Sequence, residues 1–138
     1  MTRKTPRRMI EETIRVDHAG EYGAKRIYAG QLAVLRGTRW EPLIQHMQDQ
    51  EQVHLDTFSR LIAERRVRPT ALLPIWHVAG FALGAATALL GHRAAMACTV
   101  AVEEAIDEHY QAQEAALEAC IARFPQIVRG LLIEGGDT

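Results

Sequence analysis

The residues Asp49-Gln50-Glu51-Gln52-Val53-His54 set a carboxylate and an imidazole three positions apart inside an apolar pattern. Around them Leu43, Met47, Phe58 and Leu61 recur at helical spacing, and Arg68-Pro69 closes the run. At roughly 100° per residue, His54 falls between Leu43 and Met47, and Glu51 lies about 60° away beside Phe58 and Ile62. Both are expected on the buried face of one helix, where a single turn can offer both side chains to one ion. For a lone histidine the ordinary reading is a core imidazole satisfied by a neighbouring glutamate. The other helices decide between the two.

Upstream, Ile10, Ile14, Tyr28, Leu32 and Leu35 mark one long amphipathic helix over residues 10–35, uninterrupted by proline. Glu21 points within roughly 20° of Ile10, Ile14, Tyr28 and Leu32, inside the apolar stripe. A short break over residues 37–42 then makes the first two helices antiparallel neighbours. Downstream, residues 94–123 form another helix with Met96, Val100, Ile106, Tyr110, Leu117 and Ile121 on one side. Glu103 falls beside Met96, Val100 and Ile121, whereas Glu104 turns roughly 100° toward the edge. Residues 126–138 have room for two more helical turns before Gly135-Gly136. No alternating strand pattern and no repeat occurs, so the expected class is all-α.

Three helices thus aim Glu21, Glu51, His54 and Glu103 at a common core, where ionised carboxylates need a cation. Four aligned candidates outweigh the core-histidine reading. Oxygen-rich ligation with little histidine favours iron or manganese over zinc. Asp17, His18 and Asp107 lie near the same stripes, as second partners that fix a ligand or as solvated helix edges. His46, His77 and His92 have no partner at ligand spacing and are expected to be structural. Gly20, Gly23 and Gly30 each weaken a helix by about 1 kcal/mol relative to Ala, which points to close helix packing near Glu21.

The whole chain, 138 residues with 48% hydrophobic and 24% charged side chains, reads as one domain over residues 1–138, with a loose basic arm at 1–9. A net charge of −1 provides no field for nucleic acid, which is not an expected partner. Cys98 and Cys120 are too few for a disulfide scaffold or a zinc site and are expected reduced. No secretory signal is seen, and the chain is expected to stay on the cytosolic side. Residues 69–91 hold no Asp, Glu, Lys or Arg, and their one ionisable side chain is His77. The 17 residues 75–91 reach about 26 Å if helical. A re-entrant or surface-lying membrane element is preferred to a buried core helix or a true span. Arg65, Arg66 and Arg68 precede this segment and suit anionic headgroups. Glu51 precedes it and Glu103 follows it, so a single crossing would part them, and a shared centre requires the segment to return.

At these residues the chain strongly resembles the demethoxyubiquinone hydroxylase family of ubiquinone biosynthesis. The matching stretches are Ile14-Arg-Val-Asp-His-Ala-Gly-Glu-Tyr-Gly-Ala24, Arg26-Ile-Tyr-Ala-Gly-Gln31 and Asp49-Gln-Glu-Gln-Val-His54. They continue with Arg66-Val-Arg-Pro-Thr70, Gly80-Phe-Ala-Leu-Gly-Ala85, Thr87-Ala-Leu-Leu-Gly91 and Ala95-Met-Ala-Cys-Thr-Val-Ala-Val-Glu-Glu104, over residues 10–113. The resemblance implies a ferritin-like antiparallel bundle and a di-iron monooxygenase, peripheral on the membrane, that hydroxylates a long-tailed demethoxyubiquinol with O₂ and a reductant. It implies Glu21, Glu51, His54 and Glu103 as iron ligands: Glu51 bridges, Glu21 and His54 complete one ion, and Glu103 serves the other. The expected location is the cytoplasmic face of a bacterial inner membrane or the matrix face of the mitochondrial one, in a homo-oligomer or a biosynthetic complex. The family carries a second Glu-x-x-His on a further helix, whereas here no histidine follows His109 and residues 124–138 diverge. That departure leaves a non-catalytic iron- or quinone-binding protein as the alternative.

Overall fold

The computed structural model describes residues 5–123, and all the regular structure in them is helical. In chain order the helices are α1 (Pro6–Leu35), α2 (Glu41–Arg65), α3 (Leu73–Leu89) and α4 (His92–Arg123). α1 begins where Thr5 caps it, the hydroxyl accepting from the Arg8 amide at 3.3 Å, with Pro6 already at the first helical position. The expected loose arm over 1–9 is therefore helical from Pro6 onward, because a cap and a proline start the helix earlier than the apolar stripe does. Residues 124–138, with the two helical turns expected there, lie outside the described residues.

α2 ends on Arg66, whose left-handed backbone (φ 53°) turns its amide to the Ala63 carbonyl, while the Val67 amide reaches Ile62 at 3.0 Å. This pair of bonds satisfies the last carbonyls of the helix, and Val67 is buried against it. Gly91, at φ 122°, makes the tight passage from α3 to α4.

α1 packs against the other three helices, whereas α2 packs at backbone level on α1 alone. The core gathers Ala24, Tyr28, Leu32, Leu35, Ile44, Ala88 and Ala95. Gln31, fully buried, ties α1 to α4 by donating to the Ala95 carbonyl at 3.0 Å and to Thr99 Oγ1 at 3.3 Å.

The covered faces of α2 and α4 differ from the expected stripes. On α2 the buried line runs through Ile44, Glu51 and Leu55, and Leu43 is exposed. Ile44 and Leu55 lie within about 40° of Glu51, whereas Leu43 is about 80° to the other side. On α4 the buried line holds Ala95 and Thr99, with Ile106 and Tyr110 partly covered, and Val100 and Ile121 are exposed. Both α2 and α4 are apolar on more than one side, so spacing alone does not say which side α1 covers.

α3 lies on α1 through glycine. A Cβ on Gly84 would strike the main chain of Ile27, and one on Gly30 would strike the carbonyl of Phe81. Gly20 and Gly23, expected to pack closely as well, face open space. The close approach is confined to the C-terminal half of α1, where α3 crosses it. The other side of α3 leaves Leu72, Ile75, Trp76, Val78 and Leu83 exposed. No helix among the described residues is long and apolar enough to cross a membrane.

Candidate metal centre

Glu21 is 1% exposed although it carries a carboxylate, and Glu51 is buried beside it from α2. One oxygen of each, Oε2, has no hydrogen-bond donor. His54 Nδ1 faces both orphaned oxygens, 3.6 Å from Glu21 and 3.8 Å from Glu51. Ligand atoms of all three residues lie within 4.8 Å of one another. Two buried oxygens without donors and one imidazole nitrogen are a donor set that wants a cation, and the oxygen majority suits iron or manganese.

The carboxyl of Glu51 also meets that of Glu103 on α4. Burial first, then the adjacent Glu21 and Glu103, push Glu51 up to about 10, so a proton neutralises it where no metal does. Glu51 is thus the middle of the cluster, flanked by Glu21 on one side and Glu103 on the other. Glu103 stands outside the three-residue convergence and touches it through Glu51. His54 departs from expectation in one respect: its side chain is 58% exposed, not buried. It lies about 60° off the line of Glu51, and at backbone level α2 packs on α1 alone.

Two tyrosines, read from sequence only as members of apolar stripes, are hydrogen-bond donors here. Tyr28 Oη donates to Glu103 Oε1 at 2.6 Å, and Tyr110 Oη donates to Glu21 Oε1. Burial first, then the carboxylate each one faces, raises both phenols far above their ordinary range, so they stay protonated. Their signal in the sequence is a hydroxyl on the same stripe as an inward carboxylate, Tyr28 standing two turns from Glu21.

Around this cluster, Asp17 and His18 are buried as their place on the stripe suggests, and Asp107 is exposed, accepting only from Gln111 on its own helix. His18 leaves Nδ1 unpartnered, and burial lowers its pKa. His77 does have a partner, Tyr22 Oη, 2.6 Å from its Nδ1, which links α3 to α1, and His92 stacks on Trp40. His46 is exposed. Cys98 and Cys120 are both free.

A cavity of about 530 Å³ opens beside the cluster between α1, α3 and α4. Glu21, Tyr110, Asp17 and His109 line it with polar groups, and Ile27, Trp76, Leu83 and Ile106 are among its apolar lining. Trp76 and Leu83 are themselves partly exposed on α3, so the cavity borders the uncovered apolar face of that helix.

Residues 8–131 match the model of the family described as ubiquinone biosynthesis protein COQ7. The chain is 64% identical over 107 residues to the NADPH-dependent 3-demethoxyubiquinone 3-hydroxylase, mitochondrial, of Rattus norvegicus, covering 78% of this chain and 49% of that protein. It is 62% identical over 110 residues to the 3-demethoxyubiquinol 3-hydroxylase of Rhodospirillum rubrum, covering 79% and 52%. The 5-demethoxyubiquinone hydroxylase, mitochondrial, of Saccharomyces cerevisiae is 51% identical over 106 residues, covering 75% and 46%. The chain therefore spans about half the length of the curated relatives it matches. With its family model covering nearly all of the described helices, the chain belongs to the COQ7 family of ubiquinone biosynthesis proteins, the demethoxyubiquinone hydroxylases.

Proposed function

We infer that this chain is a ferritin-like demethoxyubiquinol hydroxylase, and that Glu21, Glu51, His54 and Glu103 are iron ligands. The observation that carries the reading is the pair of donor-less buried oxygens on Glu21 and Glu51 facing His54. Glu51 touches both Glu21 and Glu103, which suits it to be shared between two ions. Bound iron would supply the activation of O₂ that ring hydroxylation requires.

The residues of the chain prepare that chemistry. Tyr110 holds one oxygen of Glu21 and leaves the other free toward His54. The apolar cavity suits a quinol ring presented at Glu21 and Tyr110 while its tail runs along α3. The exposed Leu72, Ile75, Trp76 and Val78 support docking of α3 on a membrane surface, from which such a substrate would come. The relatives' names supply NADPH as the class of reductant, and the relatives include bacterial and mitochondrial proteins, in keeping with the inner-membrane location proposed for this chain.

Glu21, Glu51 and His54 offer three donors to one ion, whereas Glu103 with the shared Glu51 offers two to a second. Desalted protein is expected to hold the first iron tightly and the second weakly. The test is iron content together with conversion of demethoxyubiquinol under O₂ and reductant, for wild type and Glu51→Gln. The variant should lose both while its metal-free form is at least as stable as wild type, since an amide needs no proton between two carboxylates. Equal conversion by the two proteins would overturn the role of Glu51. Retention of iron or quinone by wild type without product would favour the binding-only alternative.

A further inference from the structure

Glu103 is the one carboxylate of the cluster that does not converge on His54; it meets Glu51 on one side and is held from the core by Tyr28 on the other. Tyr28 is completely buried, its ring set in the core with Ala24, Leu32, Ile44 and Ala95. Its phenol oxygen donates to Glu103 Oε1 at 2.6 Å across the gap from α1 to α4. A glutamate has three free side-chain torsions, and a donor fixed by the core removes most of that freedom. Tyr110 makes the corresponding bond to Glu21 from the wall of the open cavity, but Tyr28 is sealed away from it. Substrate in that cavity can displace the first bond without reaching the second.

Resting on the metal-site reading above, we propose that Tyr28 is a positioning residue for Glu103, holding one carboxylate oxygen so that the group stays against Glu51 and ready for the second ion. It touches neither the ion nor the substrate cavity, and it acts through Glu103. Outer partners of this kind commonly change metal affinity tenfold to a hundredfold when removed.

The experiment has a metal-free arm and a metal arm, both on the full chain. In the first, Tyr28→Phe, Glu103→Leu and the double variant are unfolded in urea without metal. Removing the phenol hydroxyl should lower the midpoint in the wild-type background and have little effect once Glu103 is Leu. Additive shifts would overturn the proposal. In the second arm, Co²⁺ is titrated into wild type, Tyr28→Phe and Tyr22→Phe, whose tyrosine bonds His77. Tyr28→Phe should weaken the second Co²⁺ about tenfold and change its visible absorption, while Tyr22→Phe matches wild type. A Tyr28→Phe protein with wild-type affinity and spectrum would overturn the proposal. Failure of wild type to bind any Co²⁺ would strike the metal-site reading, and the urea cycle would still decide whether Tyr28 holds Glu103.

Discussion

Asp17 stands one helical turn before Glu21, buried, at the polar corner of the cavity. Burial lifts its carboxyl to about 6, the Gln113 hydrogen bond pulls it partly back, and Glu21 and His109 act in opposite senses. The folded chain therefore binds a proton at Asp17 more readily than the unfolded chain does between about pH 4 and pH 6. Stability from this group is present below pH 4 and is lost as pH rises through 6. Asp17→Asn should remove that loss: in metal-free protein the variant should gain about 1–3 kcal/mol over wild type at pH 7 and little at pH 4. Urea midpoints at the two pH values measure it, and a gain independent of pH would show that Asp17 ionises normally. The inward place of Asp17 was legible in its spacing from Glu21. Its partner Gln113 was not, because that contact joins α1 to α4.

At the scale of elements, the α1–α3 contact depends on which glycine lies at the crossing. A Cβ on Gly84 would meet the backbone of Ile27, which cannot move aside as a flexible side chain can. Gly84→Ala should therefore cost about 1–3 kcal/mol or more. Gly20 faces open space at the cavity, so Gly20→Ala should stabilise the helix by about 0.5–1 kcal/mol. Thermal midpoints of the two variants should move in opposite directions, and a shared direction would refute the crossing described here. Helical spacing foretold long helices near α1, α2 and α4, the break after Leu35 and the stop before Pro69. It identified Gly30 correctly as a packing glycine and misplaced Gly20 and Gly23, since a glycine's neighbour belongs to another part of the chain.

For the whole molecule, the uncovered side of α3 and the arginines that precede it in the chain are the parts expected to meet a membrane. Arg65, Arg66 and Arg68 stand just before α3, and Arg15 Nε donates to the Arg68 carbonyl at 2.8 Å, holding that approach to α1. If these parts rest on a membrane, each arginine contributes about 1 kcal/mol on anionic lipid. Replacing all three by Ser should weaken binding to anionic vesicles by about tenfold to a hundredfold and change binding to neutral ones little. The chain has two tryptophans, and Trp40 stacks on His92, so a Trp40→Phe protein reports from Trp76 alone. Its emission should shift to the blue on vesicles. Unchanged emission with full vesicle binding would place the membrane surface elsewhere.

What the sequence determined by itself was the helical class, the approximate extent of the helices, and the choice of Glu21, Glu51, His54 and Glu103 as candidate ligands. Those follow from local rules, because a period of 3.6 residues and a charge inside an apolar stripe are visible along one segment. Only the tertiary structure decided that Ile44 and not Leu43 faces the core, that His54 stands at an exposed edge, and that Tyr28 and Tyr110 hold the carboxylates. It alone set a cavity beside the cluster and left one side of α3 uncovered. Each of these depends on which helix lies against which, and a helix apolar on several sides carries that information only in its partners.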